Sequence, residues 1–149
     1  MRLSSMADYA VVTMVAAARR CARGGDAPVN AGVLAEDARL PLPTVQKLVS
    51  RLVAAGLLTS QRGAGGGLAL VRPAAEISLA QIVEAVEGPI ALTACVEQGR
   101  HDCAMEEACA VRPHWADINA TFRDTLAGVP LSRLVAQAAM EIAEVRAGL

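Results

Sequence analysis

Residues 42–71 read LPTVQKLVSRLVAAGLLTSQRGAGGGLALV. In the first half, Val45, Leu48, Val49, Leu52 and Val53 fall at i, i+3, i+4, i+7 and i+8, the apolar stripe of an α-helix over residues 43–55. Pro43 suits the first turn, where its missing N–H leaves no bond unmade, and Gly56 suits the end. The period then changes. Leu57–Ser60 and Leu68–Val71 read as two short strands, and the glycines between them permit the positive φ angles of a tight hairpin tip.

Upstream, Leu3, Met6, Ala7, Ala10, Val11, Met14 and Ala18 recur at helical spacing and predict a first helix from about residue 3 to 21. The run Arg23-Gly24-Gly25-Asp26-Ala27-Pro28 breaks it. Asn30 caps a short helix that runs to about Ala38, and Arg39-Leu40-Pro41 forms a turn. Helix, helix, turn, helix, hairpin is the order of a winged helix-turn-helix. Downstream, Ser78 caps a helix carrying Ile82, Val83 and Val86 that ends at Gly88-Pro89, and a loop follows from Ile90 to about Met105. Val111, Trp115, Ile118, Phe122 and Leu126 then make a narrow apolar seam of the kind used between paired helices. Trp115, Ile118, Phe122 and Leu126 are the candidate dimerisation residues. A last amphipathic helix starts near Ser132. The expected fold class is mostly α with a small β-hairpin wing, a winged helix-turn-helix plus a C-terminal dimerisation helix. Residues 1–88 form the DNA-binding domain, 89–110 a cysteine-bearing loop, and 111–149 the dimerisation and C-terminal helices.

Composition narrows the function. The 149 residues are 54% hydrophobic and 19% charged, so a packed core is expected rather than disorder. Tyr9, Trp115 and Phe122 are the only aromatics, which makes the core aliphatic and alanine-rich and leaves no stacking platform for single-stranded nucleic acid. Residues 1–72 carry nine Arg/Lys against four Asp/Glu, whereas 73–149 carry five against eleven. A basic front half points to a polyanion. No apolar run approaches the roughly 20 residues of a membrane span, and Ser4, Ser5 and Asp8 interrupt any leader-like segment. A cytoplasmic protein without a membrane partner is expected. Catalysis finds little support, because there are two histidines and no nucleophile–base constellation. The glycine run also lacks the Lys-Ser/Thr of a phosphate-binding loop.

On the 43–55 helix, Thr44, Gln46, Lys47, Ser50 and Arg51 carry the chemistry that reads base edges and phosphates in a major groove. Arg62, Gly65 and Gly66 belong to the wing tip, and Arg62 suits a narrow minor groove. Taken alone, the helix would read as an ordinary solvated face. The hairpin behind it turns the reading towards double-stranded DNA. A protein-binding adaptor whose winged helix does not touch DNA is the alternative of another class.

Cys95-x7-Cys103-x5-Cys109 puts three soft thiol donors within fifteen residues. Three thiolates suit zinc, copper(I) or an iron–sulfur cluster and leave a position for one more ligand. The lack of paired C-x2-C motifs argues against a zinc finger or ribbon. Zinc at another kind of site, or a thiol–disulfide switch, stays open. Asp8, His101 and His114 are the candidates for a fourth ligand, though each reads more readily as an ordinary residue: a loop histidine at 101, a helix-surface histidine at 114 and a polar helix residue at 8. Cys21 lies apart, on the first helix.

Several stretches together resemble the Rrf-two family of transcription regulators. They are Arg2-Leu3 with Ala7-Asp8-Tyr9-Ala10, Leu42 to Leu48, Arg62 to Gly67, Ile82 to Pro89, and the three cysteines in order. The resemblance runs from residue 1 to about 134. The family's branches include the iron–sulfur, nitric-oxide and iron-responsive regulators IscR, NsrR and RirA. Gly88 to Thr93 and Cys109 to Asn119 look most like the branch that regulates the SUF iron–sulfur assembly system. The resemblance implies a homodimer paired through the helix starting near Arg112 and a near-palindromic operator. It also implies a cluster on Cys95, Cys103 and Cys109, 2Fe–2S ahead of 4Fe–4S. Two departures stand out. The IscR branch has fewer residues between its first two cysteines than the seven here, and it carries histidine where this chain has Arg112.

Overall fold

The computed structural model describes residues 3–23, 29–61, 66–96, 103 and 108–147, the last seven of these as backbone only. Helix α1 spans Ser5–Arg23. The Ser4 hydroxyl starts it by accepting the N–H groups of Met6 (3.1 Å) and Ala7 (3.3 Å). Its inner stripe of Ala7, Ala10, Met14, Ala17 and Ala18 is buried. Small side chains there let neighbours approach closely, and α1 packs against four other helices. Thr13, also fully buried, donates its hydroxyl to the Tyr9 carbonyl at 2.7 Å, so that hydroxyl is not left without a partner.

Helix α2, Ala31–Ala38, begins where the Asn30 side chain accepts the Val33 N–H and ends at Arg39 with φ 53°. Helix α3, Leu42–Ala54, follows three residues later with Pro43 in its first turn. Val45, Leu48 and Leu52 are 0% exposed, and Val49 and Val53 pack beside them. Burial of this kind contributes roughly 1.5–3 kcal/mol per large side chain. Gly56, at φ 69°, turns the chain into the hairpin of β1 (Leu58–Gln61) and β2 (Gly67–Leu70). The register pairs Leu58 with Leu70 and Ser60 with Leu68. Leu58 and Leu68 point into the core, and Leu68 N–H donates to the Val29 carbonyl at 2.6 Å, fastening the wing to the start of α2. The strands sit one residue away from their expected bounds, because pairing across the hairpin, and not apolarity alone, sets where a strand begins.

A 3₁₀ turn at Ala74–Glu76, with no counterpart in the sequence reading, leads to α4, Leu79–Glu87. Ala80, Ile82, Val83 and Val86 are buried on its core side. Helix α5, Arg112–Ala127, buries none of its residues, whereas α6, Leu131–Ala147, returns to the core. Leu131 is 0% exposed and its N–H donates to the Ile77 carbonyl at 2.8 Å. Leu79 N–H donates to Val129 at 2.8 Å, and Ser78 and Pro130 form an antiparallel bridge. The start of α6 is therefore stitched to the start of α4. Among the described residues, no helix is long and apolar enough to cross a membrane.

Candidate nucleic-acid interface and cysteine segment

Burying Val45, Leu48 and Leu52 fixes which side of α3 faces out. Gln46, Lys47 and Ser50 are exposed and Thr44 is half-buried, so four of the five expected reading residues lie towards solvent. Arg51 differs. It is half-buried, and its Nη1 donates to the Val86 carbonyl in the last turn of α4 at 2.7 Å. Of the wing-tip residues, Gly66 is half-buried just ahead of β2, whereas Arg62 and Gly65 lie outside the described residues. The first strand of the hairpin, β1, packs on α3.

The cysteine segment leaves α4 at Gly88, whose φ of 88° turns the chain. It is then gripped by Asn119 of α5. The Asn119 amide nitrogen donates to the Ile90 carbonyl and its oxygen accepts the Leu92 N–H, both at 2.9 Å. Beyond that grip, a 3₁₀ turn at Ala94–Val96 holds Cys95 half-buried against an open groove that Arg112, Pro113, Ala116 and Asn119 also line. The Thr93 hydroxyl is 3.1 Å from Cys95 Sγ. Cys109 is half-buried just before α5, where its carbonyl accepts the Arg112 N–H at 3.3 Å, and Cys103 is exposed. All three are free thiols, as is the exposed Cys21. Among the described residues no three His, Cys, Asp or Glu stand close enough to hold a metal together. Asp8 is exposed on α1, His114 is exposed in the first turn of α5, and His101 lies outside the described residues.

An ion pair joins helix α5 to α4. Arg123 Nε and Nη2 reach the Glu84 carboxylate at 2.7 and 3.0 Å. That hydrogen bond, with the attraction of the same carboxylate, raises the Arg123 pKa above its ordinary value. The seam expected to pair with another copy lies on the neighbouring face. Ile118 is 47% exposed there, and Trp115, Phe122 and Leu126 are half-buried. Asn119, Arg123 and Glu84 had no assigned role in the sequence reading. Their partners lie 27 to 39 residues away in the chain, a distance at which no periodic signal exists.

A family model described as an iron-dependent transcriptional regulator, Rrf2, matches residues 3–137. This chain belongs to the Rrf2 family. It is a winged helix-turn-helix, DNA-binding transcription regulator and not an enzyme. An HTH-type transcriptional regulator IscR from Pectobacterium carotovorum is 34% identical over 135 residues, covering 91% of this Rrf2 chain and 79% of the relative. Among solved structures, CymR, the global cysteine regulator of B. subtilis, superposes with a TM-score of 0.67 at 26% identity, covering 92% of this chain and 98% of its own. T. potens IscR superposes with a TM-score of 0.68 over 93% of this chain and 88% of its own. At 24% identity it speaks for the fold alone.

Proposed function

We propose that this Rrf2 regulator is a cytoplasmic homodimer that binds a near-palindromic double-stranded DNA operator under the control of an iron–sulfur cluster on Cys95, Cys103 and Cys109. The observation that carries the reading is the placement of three free thiols, in chain order, between α4 and the apolar seam of α5. The donor set fits the chemistry, since soft thiolates outside any disulfide are what a cluster needs. The cluster is taken as 2Fe–2S, with Asp8, His101 or His114 supplying the fourth ligand. When bound it would supply a centre that responds to oxidants and to iron supply.

The chain's own residues do the rest. Thr44, Gln46, Lys47 and Ser50 face the major groove from α3, and Arg62, Gly65 and Gly66 bring the wing to the flanking groove. Trp115, Ile118, Phe122 and Leu126 pair the protomers, which sets two α3 helices about 34–36 Å apart, one turn of DNA. The genes under control on this reading are those of iron–sulfur cluster assembly.

A second reading keeps the DNA and replaces the cluster with zinc or a thiol–disulfide switch. It is favoured by the free state of the thiols and by the likeness to a cysteine regulator. Iron, sulfide and zinc analysis of anaerobically purified protein, with its visible spectrum, separates the two. Brown protein with matched iron and sulfide that fades in Cys103→Ala supports the cluster, and colourless protein with zinc or no metal removes it. A gel-shift titration across salt concentrations tests the DNA itself, because phosphate contacts make binding fall steeply as salt rises.

A further inference from the structure

The last turn of α4 is held from two sides. From α3, Arg51 Nη1 donates to the Val86 carbonyl at 2.7 Å, one of the helix-end acceptors that have no partner within their own helix. A guanidinium also suits the negative end of the helix dipole. From α5, Arg123 pairs with Glu84. Immediately beyond, Gly88 turns the chain and Asn119 grips Ile90 and Leu92, and Cys95 comes three residues after Leu92. The helix that faces DNA and the helix that faces a second copy are thus both hydrogen-bonded to one junction, residues 86–92, at the mouth of the cysteine segment.

We infer that Arg51 is a positioning residue. It sets the pose of α3 against the 86–92 junction instead of binding phosphate, and through it a displacement of the cysteine segment changes how Gln46, Lys47 and Ser50 meet DNA. The half-burial of Arg51, beside three exposed neighbours on the same helix, places it on the flank of the reading face. Its counterpart on the other side of the junction is Asn119, which touches the segment and lies on a different helix from α3.

This inference rests on the DNA-binding reading above and is tested separately from it. The probe is the duplex that wild-type protein selects from a random DNA pool, and the thiols are blocked with N-ethylmaleimide in a Cys21→Ser background. A phosphate-binding Arg51 predicts that Arg51→Gln flattens the plot of log affinity against log salt by about 0.9. A positioning Arg51 predicts an unchanged slope with affinity down roughly 2- to 30-fold. It also predicts that the effect of blocking the thiols shrinks towards none. Asn119→Ala, on a different helix from α3 and independent of any folding defect in Arg51→Gln, is expected to shrink that effect in the same way at an unchanged slope. A flattened slope in Arg51→Gln overturns the inference, as does a thiol-blocking effect that both variants keep at full size or that wild type lacks. Failure of wild type to select any duplex would instead remove the DNA-binding reading itself.

Discussion

Ser78 and Gln81 close the first turn of α4 on each other. The Gln81 N–H donates to the Ser78 hydroxyl at 3.3 Å, and the Ser78 N–H donates to the Gln81 side-chain oxygen at 3.0 Å. Both helix-start donors are satisfied by one pair of side chains. Ser78→Ala is expected to lower unfolding free energy by about 1 kcal/mol, measured by urea denaturation. The oligomeric state should not change, because Ser78 is not among the seam residues Trp115, Ile118, Phe122 and Leu126.

Adjacent positions on α3 should separate stability from DNA affinity. Leu48 is fully buried, so Leu48→Ala leaves a cavity in the centre of the winged domain and is expected to destabilise by roughly 2–5 kcal/mol. Lys47 is exposed, so Lys47→Ala should leave the thermal midpoint within a degree or two of wild type. Its effect appears in DNA binding, where the salt dependence should flatten by about one phosphate's worth. A Lys47→Ala protein with wild-type salt dependence would take Lys47 off the DNA.

The two turns that bracket α3 make opposite predictions. Gly56 sits at φ 69° with nothing within 4 Å of where a Cβ would stand. Gly56→Ala therefore carries only the conformational penalty of the left-handed region, about 1–2 kcal/mol. Arg39 already bears that penalty at φ 53° as the one non-glycine with positive φ among the described residues. Arg39→Gly is expected to be neutral or stabilising by up to about 1 kcal/mol, after the added freedom of the unfolded chain is set against the relief. Thermal unfolding of both variants in one buffer checks the signs.

Ile118 lies 47% exposed on a helix with no buried residue. A charge there should disrupt pairing while leaving the protomer folded. On the proposed homodimer, Ile118→Glu is expected to sediment as a monomer at concentrations where wild type dimerises, with unchanged far-ultraviolet dichroism. Operator affinity should drop by at least tenfold, since one reading head loses its tether to the other. A dimer of wild-type strength in this variant would move the interface elsewhere.

Much of the fold was legible because its determinants are local. The stripe from Val45 to Val53 found α3, Asn30 and Ser78 marked the starts of α2 and α4, and the glycines after Gln61 marked the hairpin. The 3₁₀ turn at Ala74–Glu76 was not legible, since three residues carry no period. For the site, residue chemistry picked out the cysteines and the polar face of α3. It also grouped Arg51 with Lys47, because spacing places both on one helix and says nothing of which one meets a carbonyl.

Periodicity, capping and turn chemistry act over a few residues, so the chain by itself settled the order of its α-helices and strands and the side of α3 left outward. Hydrogen bonds between distant residues obey no such rule. Arg51 with Val86, Asn119 with Ile90 and Arg123 with Glu84 span 35, 29 and 39 residues, and each forms only once packed helices bring its two ends together. Tertiary structure alone decided those pairings, and with them the return of Leu131 to the core and the joining of three helices at the threshold of the cysteine segment.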